Sequence, residues 1–133
     1  MKKGYYGNIE KLAKENENFR KVIYTSTNCQ LVLMSLKPLE EIGAEIHESV
    51  DQFFRIEKGD GKVVINEIDY LVSDGDAVII PMGSKHNILN TSDKNDLKIY
   101  TIYSPPHHKD GLVNPSKVDA ETKDIDFDGI TTE

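Results

Sequence analysis

A chain of 133 residues is long enough to bury one hydrophobic core and too short for two. Its net charge of −7 argues against nucleic acid or an anionic membrane as partner, since both select clustered Lys and Arg. No apolar run approaches the roughly 20 residues needed to cross a bilayer. The opening MKKGYYGNIEK has no apolar stretch after its lysines, so no secretory signal is expected and a cytoplasmic location follows. Cys29 is alone, which fits a reducing compartment and predicts a buried, inert thiol.

Residues 1–20 are polar and mixed in charge. Asn8 is placed to cap a short helix over Ile9 to Lys14, with Ile9, Leu12 and Ala13 on one face as an edge piece. Lys21 to Ser26 alternates as a strand, and Asn28 marks the turn into Gln30 to Leu36. That second run is apolar on both faces, as in a strand covered on both sides. Lys37-Pro38-Leu39 breaks the pattern. From Glu45 onward the predicted strands are short and closely spaced: Gln52 to Glu57, Lys62 to Ile65, Ile68 to Val72, Ala77 to Ile80, His86 to Leu89 and Leu97 to Tyr103. Gly59-Asp60-Gly61, Asn66-Glu67, Ser73-Asp74-Gly75 and Thr91 to Asp96 separate them. Many short strands without a long helix predict an antiparallel sandwich or barrel over residues 21–104. After Ser104 the chain turns acidic, and its apolar residues are scattered. Residues 105–133 are expected to be an extended or partly disordered tail, or one pinned to the domain or a partner subunit by Phe127 and Ile130.

Gly75, Pro81, Gly83, His86 and Asn90 stand at the spacing glycine, five residues, proline, one, glycine, two, histidine, three, asparagine. This stretch resembles the second motif of the cupin superfamily at all five named positions. The first cupin motif is met only in part. Counting back from Gly59, Gln52 stands where the family has its glutamate, His47 takes the second histidine position, Glu45 the first, and Leu39 the opening glycine. The resemblance covers about Gln30 to Ser104 and implies an all-β fold, the double-stranded β-helix or jelly-roll barrel. The stretch from His47 to Gly61 also looks like that of short cupins grouped loosely with mannose-6-phosphate isomerases.

Strand periodicity supports the same register. Glu45 and His47 share a face, as do Gln52, Phe54 and Ile56, while Arg55 and Glu57 lie opposite and read as solvated. Gln52 is the polar exception in an inward apolar set. The resemblance implies that Glu45, His47, Gln52 and His86 converge on one divalent metal: iron, manganese, zinc or nickel. Two imidazoles and one carboxylate suit such an ion. Asp51 is the rival carboxylate, and alternation turns it away from Gln52. Gln52 can equally satisfy a buried backbone group, and Glu45 can be a solvated member of the acidic set Glu40, Glu41 and Glu48. His107 and His108 are left outside the core site, because neighbours on an extended chain point opposite ways. Tyr100, Ile102 and Phe54 are expected to fill the barrel.

Two functions remain open at this level. One is a metal-dependent cupin with a small anionic or hydroxylated ligand, of the dioxygenase or sugar-isomerase class if it is an enzyme. The other is a non-catalytic, carbohydrate-like binding module with no metal or a structural one. No residue is assigned a catalytic role. A homodimer is expected, with Lys21 to Ser26 pairing onto a neighbour's sheet.

Overall fold

A computed structural model describes residues 1–133. Ten strands form two antiparallel sheets. They are β1 (Arg20–Thr25), β2 (Gln30–Leu36), β3 (Glu45–Ile46), β4 (Asp51–Lys58), β5 (Asp60–Ile65), β6 (Ile68–Ser73), β7 (Ala77–Ile80), β8 (Lys85–Asn90), β9 (Leu97–Ser104) and β10 (Val113–Asn114). One sheet has the order β10-β1-β2-β9-β4-β7 and the other β3-β8-β5-β6. This is the antiparallel all-β architecture with a short N-terminal helix that the strand pattern predicts, in the jelly-roll form that the motif resemblance implies.

The core lies between the sheets. Met34, Phe54, Ile56, Val63, Ile88 and Ile99 come from five strands and are at most 1% exposed. Each such side chain contributes roughly 1.5–3 kcal/mol through burial. The period of two decides what joins them: in β9, Leu97, Ile99, Thr101 and Tyr103 point inward. Tyr100 and Ile102 therefore lie on the opposite face, one step out of phase with the barrel-filling role expected of them; Phe54 fills it as expected. Helix α1 (Ile9–Glu15) covers the outer face of β2, β4 and β9, and Asn8 Oδ1 accepts from Lys11 N as its cap. That cover also buries Glu57, which alternation alone marks as solvated.

Turn chemistry sets the strand ends. Gly83 (φ +81°) follows Met82 in a reversal closed by Ser84 N donating to Pro81 O, a geometry that requires positive φ at its third residue. Gly59 (φ +103°) alone links β4 to β5, since Asp60 and Gly61 already belong to β5; a Cβ there would meet Asp96 O at 2.7 Å. Leu39, at the opening glycine position of the first motif, takes φ +62°. The left-handed conformation is thus kept where the side chain resists it, at a cost of about 1–2 kcal/mol.

The C-terminal residues fold back along β1. Strand β10 pairs with Arg20 and Lys21, Val22 N donates to Leu112 O, and Thr25 exchanges bonds with Thr132. Helix α2 (Lys117–Thr122) starts on Ser116, whose Oγ accepts from Asp119 N. The outer edge of β1 is therefore occupied by this chain's own C-terminal segment, and the expected pairing of Lys21 to Ser26 with a neighbour's sheet has no free edge to use. Cys29 is exposed rather than buried: it sits in the β1–β2 turn with Sγ 3.2 Å from Ser26 Oγ. No helix is long and apolar enough to cross a membrane.

Candidate metal centre

Strand register brings the first two residues together. Glu45 of β3 and His86 of β8 are direct antiparallel partners, so their side chains leave the same face of the sheet. His47 follows two residues after Glu45. Its carbonyl accepts from Gly83 N at 2.8 Å, which ties the loop of the first motif to the turn of the second. Ligand atoms of Glu45, His47 and His86 all lie within 4.8 Å of one another. Glu45 Oε2 is 3.3 Å from His47 Nε2 and 3.9 Å from His86 Nε2.

The protonation pattern of His86 leaves a lone pair facing inward. His86 Nδ1 lies 3.0 Å from the Ser84 carbonyl, which can only accept, so Nδ1 carries the proton and Nε2 is free. His86 Nε2 and His47 Nε2 are buried without hydrogen-bond partners; the 3.3 Å approach of Glu45 to His47 is not aligned as a hydrogen bond. Gln52 is 2% exposed. Thr101 Oγ1 gives its proton to Phe53 O and accepts from Gln52 Nε2 at 3.1 Å, so Gln52 Oε1 is also left buried and unpaired. Unpaired buried acceptors each cost about 1–3 kcal/mol. The two on His47 and His86, beside the Glu45 carboxylate, fit a cation, whose ligands must be neutral imidazoles and anionic or neutral oxygens.

Electrostatics keep the donors in those forms. Burial pushes the Glu45 carboxyl up, but the closeness of His47, with Arg20 and His86, outweighs it and holds the group below its ordinary value. Burial lowers His86, with the Ser84 carbonyl opposing and His47 assisting, so the ring is neutral near pH 7. Asp51 is excluded from the cluster: its Oδ1 accepts from Met82 N at 2.8 Å on the exposed side of the turn. Asn90, the last motif residue, is structural. Its Nδ2 donates to the carbonyls of Leu36, Lys37 and Asn95, and its Oδ1 accepts from Ser92 N.

The C-terminal segment supplies a second wall. The His107 ring lies 4.5 Å from His47 and stacks on Tyr103 at 5.3 Å, while His108 meets Tyr103 edge-on. His107 borders the site through His47, and His108 is held behind it by Tyr103 and Asp124, although the sequence reading leaves both outside the core site. The alternation rule fails there because the segment is no strand: Gln30 clamps it, accepting from the N–H of both residues and donating to His108 O. His108 Nδ1 contacts Asp124 at 3.1 Å and Nε2 contacts Tyr103 Oη at 3.2 Å. Burial, with the charges of His108 and His47, brings His107 down to about 4. The His108 bond holds Asp124 below its ordinary range against burial, and burial, with the charges of Glu45 and Asp124 assisting and Arg20 opposing, drives the Tyr103 phenol far up. Arg20, Tyr103, Lys117 and Asp124 escaped the sequence reading because only tertiary contact brings them here.

A jelly roll with a histidine–carboxylate cluster between its sheets defines the class, and residues 32–103 match the family model described as the cupin domain. The chain belongs to the cupin family. It is 43% identical over 124 residues to the uncharacterized protein YrkC of Bacillus subtilis (strain 168), which covers 89% of this chain and 66%, just under two thirds, of that protein. The uncharacterized protein L612 of Acanthamoeba polyphaga mimivirus is 42% identical over 113 residues, 83% of this chain and 71% of its own. The crystal structure of BH2720 from Bacillus halodurans superposes with a TM-score of 0.87 at 38% identity, covering 90% of this chain and 95% of that one.

Proposed function

We propose that the protein is a metal-binding cupin in which Glu45, His47 and His86 hold one divalent ion and Gln52 Oε1 is a further donor. The observation that carries this reading is the pair of buried, unpaired Nε2 atoms on His47 and His86, beside a carboxylate within reach of both rings. When bound, such an ion polarises an oxygen of a small ligand or supports dioxygen chemistry, which covers both the oxygenase and the isomerase class. The chain's own residues do the rest. Ser84 O sets the His86 tautomer, Thr101 turns the Gln52 amide, and the stacked rings of Tyr103 and His107 flank His47 on one side of the site. Sugar-phosphate isomerisation has the weaker support: the adjoining cavity carries Arg20 and Lys117 among three carboxylates, a poor setting for a dianion. The homodimer expected from the sequence would have to use a face other than the edge of β1; light scattering at micromolar concentration decides its existence.

Metal analysis of protein purified without chelator or affinity tag tests the main reading. One equivalent of a transition metal, lost on chelation with a fall in thermal stability, is expected. Metal-free protein that takes up none and is indifferent to chelator would leave the non-catalytic binding module as the reading.

A further inference from the structure

Beside the metal cluster lies a cavity of about 250 Å³, bounded by Arg20, Glu45, Lys117, Glu121 and Asp124 under helix α2. Arg20 is 6% exposed, yet the protein engages little of it. Its Nη1 donates to Asn114 Oδ1 at 3.3 Å and lies 3.7 Å from Asp124, while Nε has no partner. A guanidinium presents five N–H groups in a planar fork, and burying them unpaired is costly. Asp124 reaches only Nη1, at 3.7 Å, and the same Oδ1 is 3.1 Å from His108 Nδ1. Glu121 lies 3.9 Å from Lys117, and Glu45 faces the two histidines.

We propose that this cavity is a carboxylate subsite: the Arg20 guanidinium takes the carboxylate of a small organic acid, Lys117 adds charge at the rim, and the rest of the molecule points to Glu45 and the metal cluster. The last part rests on the metal reading; the Arg20 contact does not. A planar carboxylate matches the fork with two parallel bonds. Three carboxylates in the wall disfavour a phosphate dianion and leave a monoanion as the better guest. The volume holds about eight waters' worth of liquid, enough for an acid of a few carbons.

The test is an NMR titration of the Arg20 Nε–H resonance with pyruvate and acetate, with inorganic phosphate as competitor, on metal-free and zinc-loaded protein. Saturable shifts with pyruvate are expected, weakened about tenfold or more by Arg20→Gln and about threefold by Lys117→Met, with zinc uptake unchanged in both variants. No shift with either acid at about 50 mM overturns the proposal, as does full pyruvate affinity in Arg20→Gln or displacement by an equal concentration of phosphate. If Arg20→Gln does not fold, the wild-type Nε–H response and Lys117→Met decide. Zinc uptake without any pyruvate response sinks the subsite and leaves the metal centre standing. A pyruvate response at Arg20 in a protein that takes up no zinc does the reverse.

Discussion

The two walls of the site are built on opposite principles. On the wall formed by β3, the residue that follows it and β8, the Nε2 atoms of His47 and His86 are buried and left without partners. On the wall formed by the C-terminal segment, His108 uses both ring nitrogens, on Asp124 and Tyr103, and Gln30 uses its whole amide to hold the chain. A folded protein tolerates unpaired buried acceptors where something else completes them and pairs the rest for rigidity. The first wall is therefore read as a binding surface and the second as its scaffold.

Substitution should separate the walls. His86→Ala and His47→Ala are each expected to weaken zinc binding by at least about 100-fold, while His107→Ala, although its ring touches His47, changes it less than about threefold. Isothermal titration measures all three, and a His107→Ala loss as large as that of His86→Ala would erase the distinction. Asn90→Ala, which orphans three carbonyls and one N–H, should cost about 3 kcal/mol in urea unfolding, with the zinc affinity of the folded fraction kept.

Acid should act on both walls in the same direction. His86, His107 and His108 are all lowered by burial, so the unfolded chain binds more protons than the folded one below the ordinary histidine value. Their contribution is present above that value and lost as pH falls through the folded values, with His107 at about 4 setting the lower edge. Glu45 and Asp124, held low in the fold, lose their contributions as pH falls through the carboxylate range. Metal-free protein should lose roughly 1–3 kcal/mol between neutral pH and about 4, read from urea midpoints. A flat profile would mean that these rings are not held neutral. The smallest effect is at Leu39: Leu39→Gly should add about 0.5–1 kcal/mol by relieving its positive φ, with no change in zinc affinity.

The first wall was readable in the sequence because fixed turn chemistry places its residues. Positive φ at Gly83 and a period of two put His86 inward, and the same count put Gln52, Phe54 and Ile56 on one face. Leu39 shows that the register of a degraded motif survives in the backbone even when the glycine is gone. The second wall was not readable, since Gln30, Arg20, His108 and Asp124 lie up to 104 residues apart and meet only through packing. One local signal was present: Ser116 three residues before Asp119 marks the start of α2, and it now accepts that residue's N–H. Where strands carry a site, alternation predicts facing; where a loop carries it, as at His107, alternation misleads.

An anomalous-difference map from a crystal grown with zinc, collected at the zinc edge, tests the centre most directly. One strong peak bonded to His47 Nε2, His86 Nε2 and a Glu45 oxygen is the expected result. No peak there, with both imidazoles instead bonded to ordered water or turned from one another, would contradict it.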